Sequence, residues 1–448
     1  MEKKKNHQTR RNFLGNALAV SAIGALGVQG IVSACGRTKI TIPIPPDSAP
    51  DGPVLTAGLI GCGGRGTGAA LNFLDAGPNL KITALGDLFE DRLNSARSKL
   101  LKNKQNEIAD DHCFLGFDAY EKVIDSGVDV IIMATPPHFR PMQFEAAIKA
   151  GKHVFMEKPV AVDPEGARSI MATGKKAEGM GLSVAAGTQR RHQRDYQKTY
   201  EQVINGGIGD IVSATCYWNG GKLWHKNHQE GWSDMEWMVR NWVNWIWLSG
   251  DHIVEQHVHN LDVINWFKGK LHPIKAVGFG SRQRRITGDQ FDNFSVDFIY
   301  DDEMHMHSMC RQINDCTNSV SEYIRGTNGY TNCKNATFNV DGTPSWGYDY
   351  GLNPEGEPLT NTEISPYVQE HIDLVTAIRT NQPINDAENV ANSTMTAIMG
   401  RISAYTGKAV TWEEVMNSDL RLGPKEYILG PMDMTANIPV PGSSPKKA

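Results

Sequence analysis

Residues able to do chemistry cluster first at Gly61-Cys62-Gly63-Gly64-Arg65-Gly66, a G-x-G-x-x-G run directly after the apolar stretch 54–60. Glycines at this spacing let the backbone turn tightly and approach a pyrophosphate held at the N-terminus of the next helix. Such a site needs an acidic residue about 20 positions later, at the end of a second strand, to bind the ribose hydroxyls. Asp87 lies 21 residues after Gly66, just past an apolar segment over 81–85. Its charge repels a 2′-phosphate and favours NAD over NADP, while Arg65 is placed to reach a phosphate and blur that choice.

A second concentration runs Gly250-Asp251-His252-Ile253-Val254-Glu255-Gln256-His257-Val258-His259-Asn260-Leu261-Asp262. As one helix it places His252, Glu255, His259 and Asp262 on a single polar face, apart from the apolar stripe of Val254, Val258 and Leu261. An imidazole titrates near neutrality, so His259 is assigned as general base and Asp262 as its orienting or substrate-binding partner. His257, His259 and Glu255 are metal-ligand types, but residues two apart on a helix point away from each other, so no metal is expected. Eight of the ten tryptophans fall between Trp218 and Trp266, with Trp237, Trp242, Trp245 and Trp247 just upstream of this stretch. Indole faces stack on sugar rings, which makes Trp245 a candidate substrate contact; a core or subunit contact is the even alternative.

The elements that must hold these groups alternate at first. Segments 54–60, 81–85, 128–133 and 153–156 read as buried strands, with helices over 66–76, 90–104 and 140–150 between them. That order implies a parallel sheet with helices on both faces, a doubly wound Rossmann domain over 54–181. A further short strand, 183–186, and a helix, 195–205, follow. Longer alternating strands come next over 211–217, 274–279 and 294–300, the last pairing with 304–309 across the turn Asp301-Asp302. With helices over 366–380 and 386–406 and a short one from 411, they predict an α+β domain with a large open, mainly antiparallel sheet over 182–425. A Pro-rich tail, 426–448, closes the chain.

The first 53 residues stand apart. Lys3, Lys4 and Lys5 form a positive start, Thr9-Arg10-Arg11-Asn12-Phe13-Leu14 resembles a twin-arginine export signal, and 17–34 is only mildly apolar. Val32-Ser33-Ala34-Cys35 resembles a lipobox, so 1–34 is read as a signal peptide and Cys35 as a lipid anchor, the sole membrane contact expected. Residues 35–53, rich in Pro and small polar residues, read as a linker. The expected location is periplasmic, on a membrane of a Gram-negative bacterium. The first 34 residues carry five Lys or Arg against Glu2, so the rest bears a formal charge of -9 against -5 for all 448 residues. An acidic body excludes nucleic acid as partner. Hydrophobic content of 40% and charged content of 21% fit a folded globular chain. Past Cys35 no cysteine pair has C-x-x-C spacing, and Cys310, Cys316 and Cys333 are available for a disulfide in an oxidising compartment.

Met133-Ala134-Thr135-Pro136-Pro137-His138 and Lys152-His153-Val154-Phe155-Met156-Glu157-Lys158-Pro159, added to the glycine run, resemble the Gfo/Idh/MocA family over about 54–425. That family includes glucose–fructose oxidoreductase and inositol dehydrogenase, with substrate held between the two domains. The resemblance implies Thr135, Pro136 and His138 near the cofactor, Glu157 at the nicotinamide ribose, and Lys158 on the reacting hydroxyl. A Lys at the C-terminal edge of a parallel strand faces the cofactor crevice, where its ammonium stabilises an alkoxide as hydride leaves. The family's Asp-x-x-x-His-x-x-Asp pattern is met by Glu255, His259 and Asp262, with Glu in place of the first Asp. Gln189, Arg190 and His192 occupy a region that faces substrate in relatives. The expected activity is hydride transfer between tightly held NAD and a hydroxyl of a sugar or glycoside, by a homo-oligomer, dimer or tetramer. A glycosidase of the glycoside hydrolase family 109 kind, which oxidises its sugar transiently, shares the first step. A non-catalytic carbohydrate-binding lipoprotein is the alternative from another class.

Overall fold

Strands buried on both faces must be apolar throughout, and this governs the first half of the chain. The computed structural model describes residues 39–102, 106–269, 272–353, 356–362 and 364–442. The export signal, the lipobox Cys35 and the end of the tail lie outside the described residues. The first sheet comprises β1 (Leu55–Ile60), β2 (Leu80–Asp87), β3 (Cys113–Leu115), β4 (Val130–Met133), β5 (His153–Met156) and β6 (Val184–Ala186). Its order is β3-β2-β1-β4-β5-β6, and every pairing is parallel. The order reverses between β1 and β4, so a crevice opens beyond the carboxyl ends of these strands. Helix Gly64–Asp75 starts directly in that crevice. The sixth strand, β6, lies past the expected boundary at 181 and completes the Rossmann sheet.

The second sheet is mixed and mainly antiparallel. It contains β7 (Ile211–Gly220), β8 (Lys275–Ser281), β9 (Asn293–Ile299), β10 (His305–Gln312), β11 (Ser319–Gly326), β12 (Gly329–Thr331), β13 (Ala336–Asn339), β14 (Pro344–Gly347) and β15 (Val410–Thr411). Their order is β14-β13-β12-β11-β7-β10-β9-β8-β15. β9 and β10 pair across the acidic turn, as the alternation predicts, and only β7 with β10 is parallel. Buried and half-exposed residues alternate along β9 because one face packs on helices and the other is open. Helix Ala387–Thr406 and helix Val258–Phe267 supply Met395, Ile398, Leu261 and Ile264 to the covered face.

Three expectations about organisation change. Helix Pro366–Arg379 belongs to the first core rather than the second: Ile372, Leu374 and Val375 pack with Phe73 and Phe155. The described part of the expected linker is a packed strap. Asn205 holds the backbone of Ile40, Ala49 N–H bonds to the Ala76 carbonyl, and Arg379 binds the Pro50 carbonyl. Proline-rich chain has few backbone donors to satisfy and lies well along a surface that supplies them. All six described cysteines are free, including Cys310, Cys316 and Cys333.

Candidate active site

The four glycines of the run meet different surroundings. Gly61 has φ +93°, and a Cβ there would collide with the Ala134–Thr135 backbone. A Cβ on Gly66 would overlap the Gly61 carbonyl, whereas one on Gly63 or Gly64 would meet only open space. So Gly61 and Gly66 serve the turn, and Gly63 and Gly64 keep a cradle clear. Helix Gly64–Asp75 has no side-chain cap and no acidic residue in its first turn, leaving its amides and positive dipole end for an anion. The cleft above has a volume of about 470 Å³ and is lined by Gly61, Gly63, Gly64, Arg65, Gly66, Asp87, Thr135 and Pro136. Asp87 accepts from the Cys62 amide at 2.6 Å and the Phe89 amide at 2.8 Å, which fixes its carboxylate at the wall. Burial pushes its pKa up, while those two amides oppose the shift. An open cradle at a helix start beside a fixed carboxylate fits a dinucleotide: pyrophosphate over Gly63–Gly64, ribose at Asp87.

Arg65 turns away from the phosphate role. Its guanidinium pairs with Glu157 and, at 2.8 Å, with Glu370, and lies 4.8 Å over the Tyr367 ring. It therefore links the cradle to the end of β5, where Lys158 begins the reaction side. The Lys158 ammonium bonds the Glu255 carbonyl at 2.5 Å and its carboxylate at 3.1 Å. Glu255 thus reaches the site in the position where the family has Asp, and it holds the lysine by two oxygens.

His259 is buried and stacks on Trp218, with ring centroids 5.6 Å apart. Burial drives its pKa well below the ordinary 6.5, and the charges of Lys158, Arg190 and Arg65 push the same way. Its imidazole is neutral at neutral pH and so available to accept a proton. The structure brings Arg65, Glu157, Lys158, Glu255, Arg190 and His259 into one electrostatic neighbourhood.

Other predicted residues are placed differently. The single helix 250–262 is broken into His252–Glu255 and Val258–Phe267, with the His257 ring tied to Ser308 at 2.7 Å. His252 turns inward to Asp251 at 2.9 Å and an edge contact with Phe294. The common polar face is therefore lost. Asp262 does not orient His259: Arg191 binds both its oxygens, at 2.8 and 2.9 Å, and Ser393 adds a third bond. His192 lies between Asp373, at 2.6 Å, and Asp386. Burial alone would lower its pKa, but these two carboxylates raise it to about 10. Its ring nitrogens face these two carboxylates rather than the cleft.

Arg190 is held by Glu322 at 2.5 Å, and Gln189 contacts the Tyr367 hydroxyl at 3.4 Å. His138 bonds the Tyr427 hydroxyl at 2.8 Å, and it is its neighbour Phe139 that lines the cleft. Trp245 is 4% exposed, packed with Met235, Met238 and Trp247, so its indole is core and not a sugar platform. Trp224 and Trp242 are the tryptophans that line the cleft.

Several members of the site carried no local signal. Trp218 ends β7, remote in sequence from His259. Glu370 and Glu322 look like ordinary helix and strand residues until Arg65 and Arg190 are seen against them. Arg140 is buried and ties the Thr135 and Pro159 carbonyls together, bracing both cofactor-side loops. The doublet Arg190-Arg191 was the one legible hint, since two adjacent arginines inside a fold need two acidic partners.

Residues 55–186 match the family model for the GFO_IDH_MocA oxidoreductase family, NAD-binding Rossmann fold. The myo-inositol 2-dehydrogenase of Thermotoga maritima is 31% identical over 155 residues, 35% of this chain and 42% of that protein. The 2,7-anhydro-N-acetylneuraminate hydratase of Escherichia coli is 26% identical over 219 residues, 49% of this chain and 50% of that protein. The chain thus spans half the length or less of these curated relatives. The crystal structure of scyllo-inositol dehydrogenase from Lactobacillus casei, with bound NAD(H) and scyllo-inositol, superposes with a TM-score of 0.58 at 21% identity. It covers 80% of this chain and 99% of that one, so the two-domain fold is shared.

Proposed function

We propose, from a Rossmann domain that matches the Gfo/Idh/MocA oxidoreductase family, that the protein transfers a hydride between tightly held NAD and a hydroxyl of a sugar or glycoside. The observation that carries this reading is the chain of contacts from cradle to proton acceptor. Arg65 joins the glycine run to Glu157, the next residue is Lys158, and Lys158 meets Glu255 beside a neutral His259. When bound, the nicotinamide supplies the hydride acceptor or donor. On this reading Glu157 takes its ribose and Asp87 the adenosine ribose. The Lys158 ammonium holds the substrate oxygen and favours its alkoxide. His259 accepts the hydroxyl proton at a ring nitrogen, and the cations that lower its pKa also offset the oxygen's growing charge. A polyol or sugar suits this set because it offers several hydroxyls to Arg190 and Glu255 and a ring face to the Trp218 indole. The inositol dehydrogenases among the relatives support the same class.

Export through the twin-arginine signal and lipidation at Cys35 belong to this reading. A Cys35→Ser variant that remains membrane-bound would refute the anchor. Val277, Phe279 and Tyr323 on the open face of the second sheet give a surface for pairing with further copies.

The test uses protein purified without added cofactor and a panel of glycosides, with products read by mass spectrometry. Loss of H₂ with the glycosidic bond intact is the expected result. Free sugar and aglycone in unchanged oxidation state would instead establish the redox-assisted glycosidase. No product, with no NAD released on denaturation, would leave only a binding protein.

A further inference from the structure

The wall of the cleft opposite the glycine run comes from the second domain. Trp224, Lys226, Val239, Arg240 and Trp242 form it, and Asp87 and Phe89 line the same cleft from the Rossmann domain. This stretch is held rigid from within: the Trp237 indole donates to the Lys226 carbonyl at 2.8 Å, and Asn241 binds the Lys226 amide at 2.9 Å. It is also fastened to the Rossmann domain. Arg240 donates to both oxygens of Asp91, at 2.9 and 3.2 Å, and its guanidinium lies 3.8 Å from the centre of the Phe89 ring. Asp91 stands only four residues past Asp87, so this contact closes over the adenosine end.

A second fastening comes from the C-terminal segment. The Gly430 carbonyl accepts from the Met235 amide at 3.1 Å, and the Met432 amide donates to Asp234 at 3.1 Å. Leu422, Tyr427 and Met432 pack on the Trp245–Trp247 cluster behind the wall. Tyr427 then reaches the Rossmann domain at His138, 2.8 Å away. The tail therefore passes behind the cover and ties it to the domain beneath.

We propose that residues 224–242, clasped by Arg240 to Asp91 and backed by the C-terminal segment through Tyr427, form a fixed cover that makes the dinucleotide a non-exchanging group. The inference rests on the reading of the cleft as an NAD site. Its chemistry suits a covered adenosine: indole surface from Trp224 and Trp242, and the Arg240 guanidinium stacked on Phe89, beside the cation of Lys226. Release then requires the clasp and the tail contact to open together, which slows dissociation without any change at the reacting end. A protein exported with its cofactor gains directly from such a cover.

The experiment follows exchange of bound NAD for isotopically labelled NAD in the full-length protein. Retention over hours is expected for the parent chain. Asp91→Ala should release NAD about tenfold faster, Arg240→Ala at least as fast, and the double variant no faster than Arg240→Ala alone, because the Asp91 contact is already lost in it. Asp91 is largely exposed at a helix start, so its variant keeps the fold, which the unfolding midpoint checks. Tyr427→Phe should also speed release, by a smaller factor. Parent protein that binds labelled NAD but exchanges it as fast as the variants would overturn the cover while leaving the oxidoreductase reading intact. Parent protein that binds no NAD at all would overturn both.

Discussion

The two sides of the candidate active site are built in opposite ways. The proposed dinucleotide side is local: one turn, one helix start and one carboxylate all fall within residues 61–87. The hydroxyl side is assembled from strand β5, the broken helix at 252–267, the end of β7 and the turn at 189–192. It depends on buried ion pairs between segments far apart in sequence. The first side is expected to tolerate change outside its glycines and Asp87, and the second to be the more sensitive to loss of a buried partner.

The largest effect should fall on the hydroxyl side. Lys158→Ala and His259→Ala are each expected to lower kcat by about 10³-fold, the scale of a lost general base or charge stabiliser. Retention of NAD, measured after denaturation, should be unchanged in both. Equal loss of NAD would erase the contrast between the two sides.

Next comes His192, whose cost should be paid in stability alone. His192→Gln leaves Asp373 and Asp386 without their buried cation and should destabilise the fold by about 3–5 kcal/mol. The His192 pKa is raised to about 10 in the folded state, so its stabilisation is complete below about 6.5 and lost as pH rises towards 10. Urea midpoints across that range should fall in the parent and stay flatter in the variant.

A comparison of two glycines sharpens the dinucleotide side. Gly64→Val points its side chain into open space, so the unfolding midpoint should hold while NAD affinity drops by roughly 100-fold, the scale of a lost charge-assisted set of amide contacts. Gly66→Val meets the Gly61 carbonyl and should lower both. Equal behaviour of the two would show that the cradle is not where the ligand sits.

The smallest effect is a shift in pH dependence. Because the His259 pKa is depressed, its base form persists below the usual histidine range, and the acid limb of kcat/KM should lie under pH 6.5. Arg190→Gln removes one of the cations responsible, while Glu322 keeps Tyr196 and Asn260 as partners. The limb should move upward in that variant. An unmoved limb would assign the base elsewhere.

Legibility in the sequence follows the same division. The parallel strands other than β3, the helix after the glycine run and the pairing of β9 with β10 were readable, because their patterns arise from neighbours along the chain. The helix 250–262 was readable only as an apolar stripe. Its break at Gln256–His257 coincides with a tertiary bond, His257 to Ser308, whose partners lie 51 positions apart. Trp245 looked like a sugar contact because its type suits one, yet Met235, Met238 and Trp247 enclose it.

Sequence alone determined the glycine turn at the start of helix Gly64–Asp75 and the place of Lys158 just past the end of β5. Spacing within a turn or a strand end dictates where such groups point. Tertiary structure decided which charges meet. It gave Asp262 to Arg191, His192 to two carboxylates and Arg65 to Glu157 and Glu370. A buried charge must find an opposite one wherever the fold supplies it, and that partner has no fixed distance along the chain.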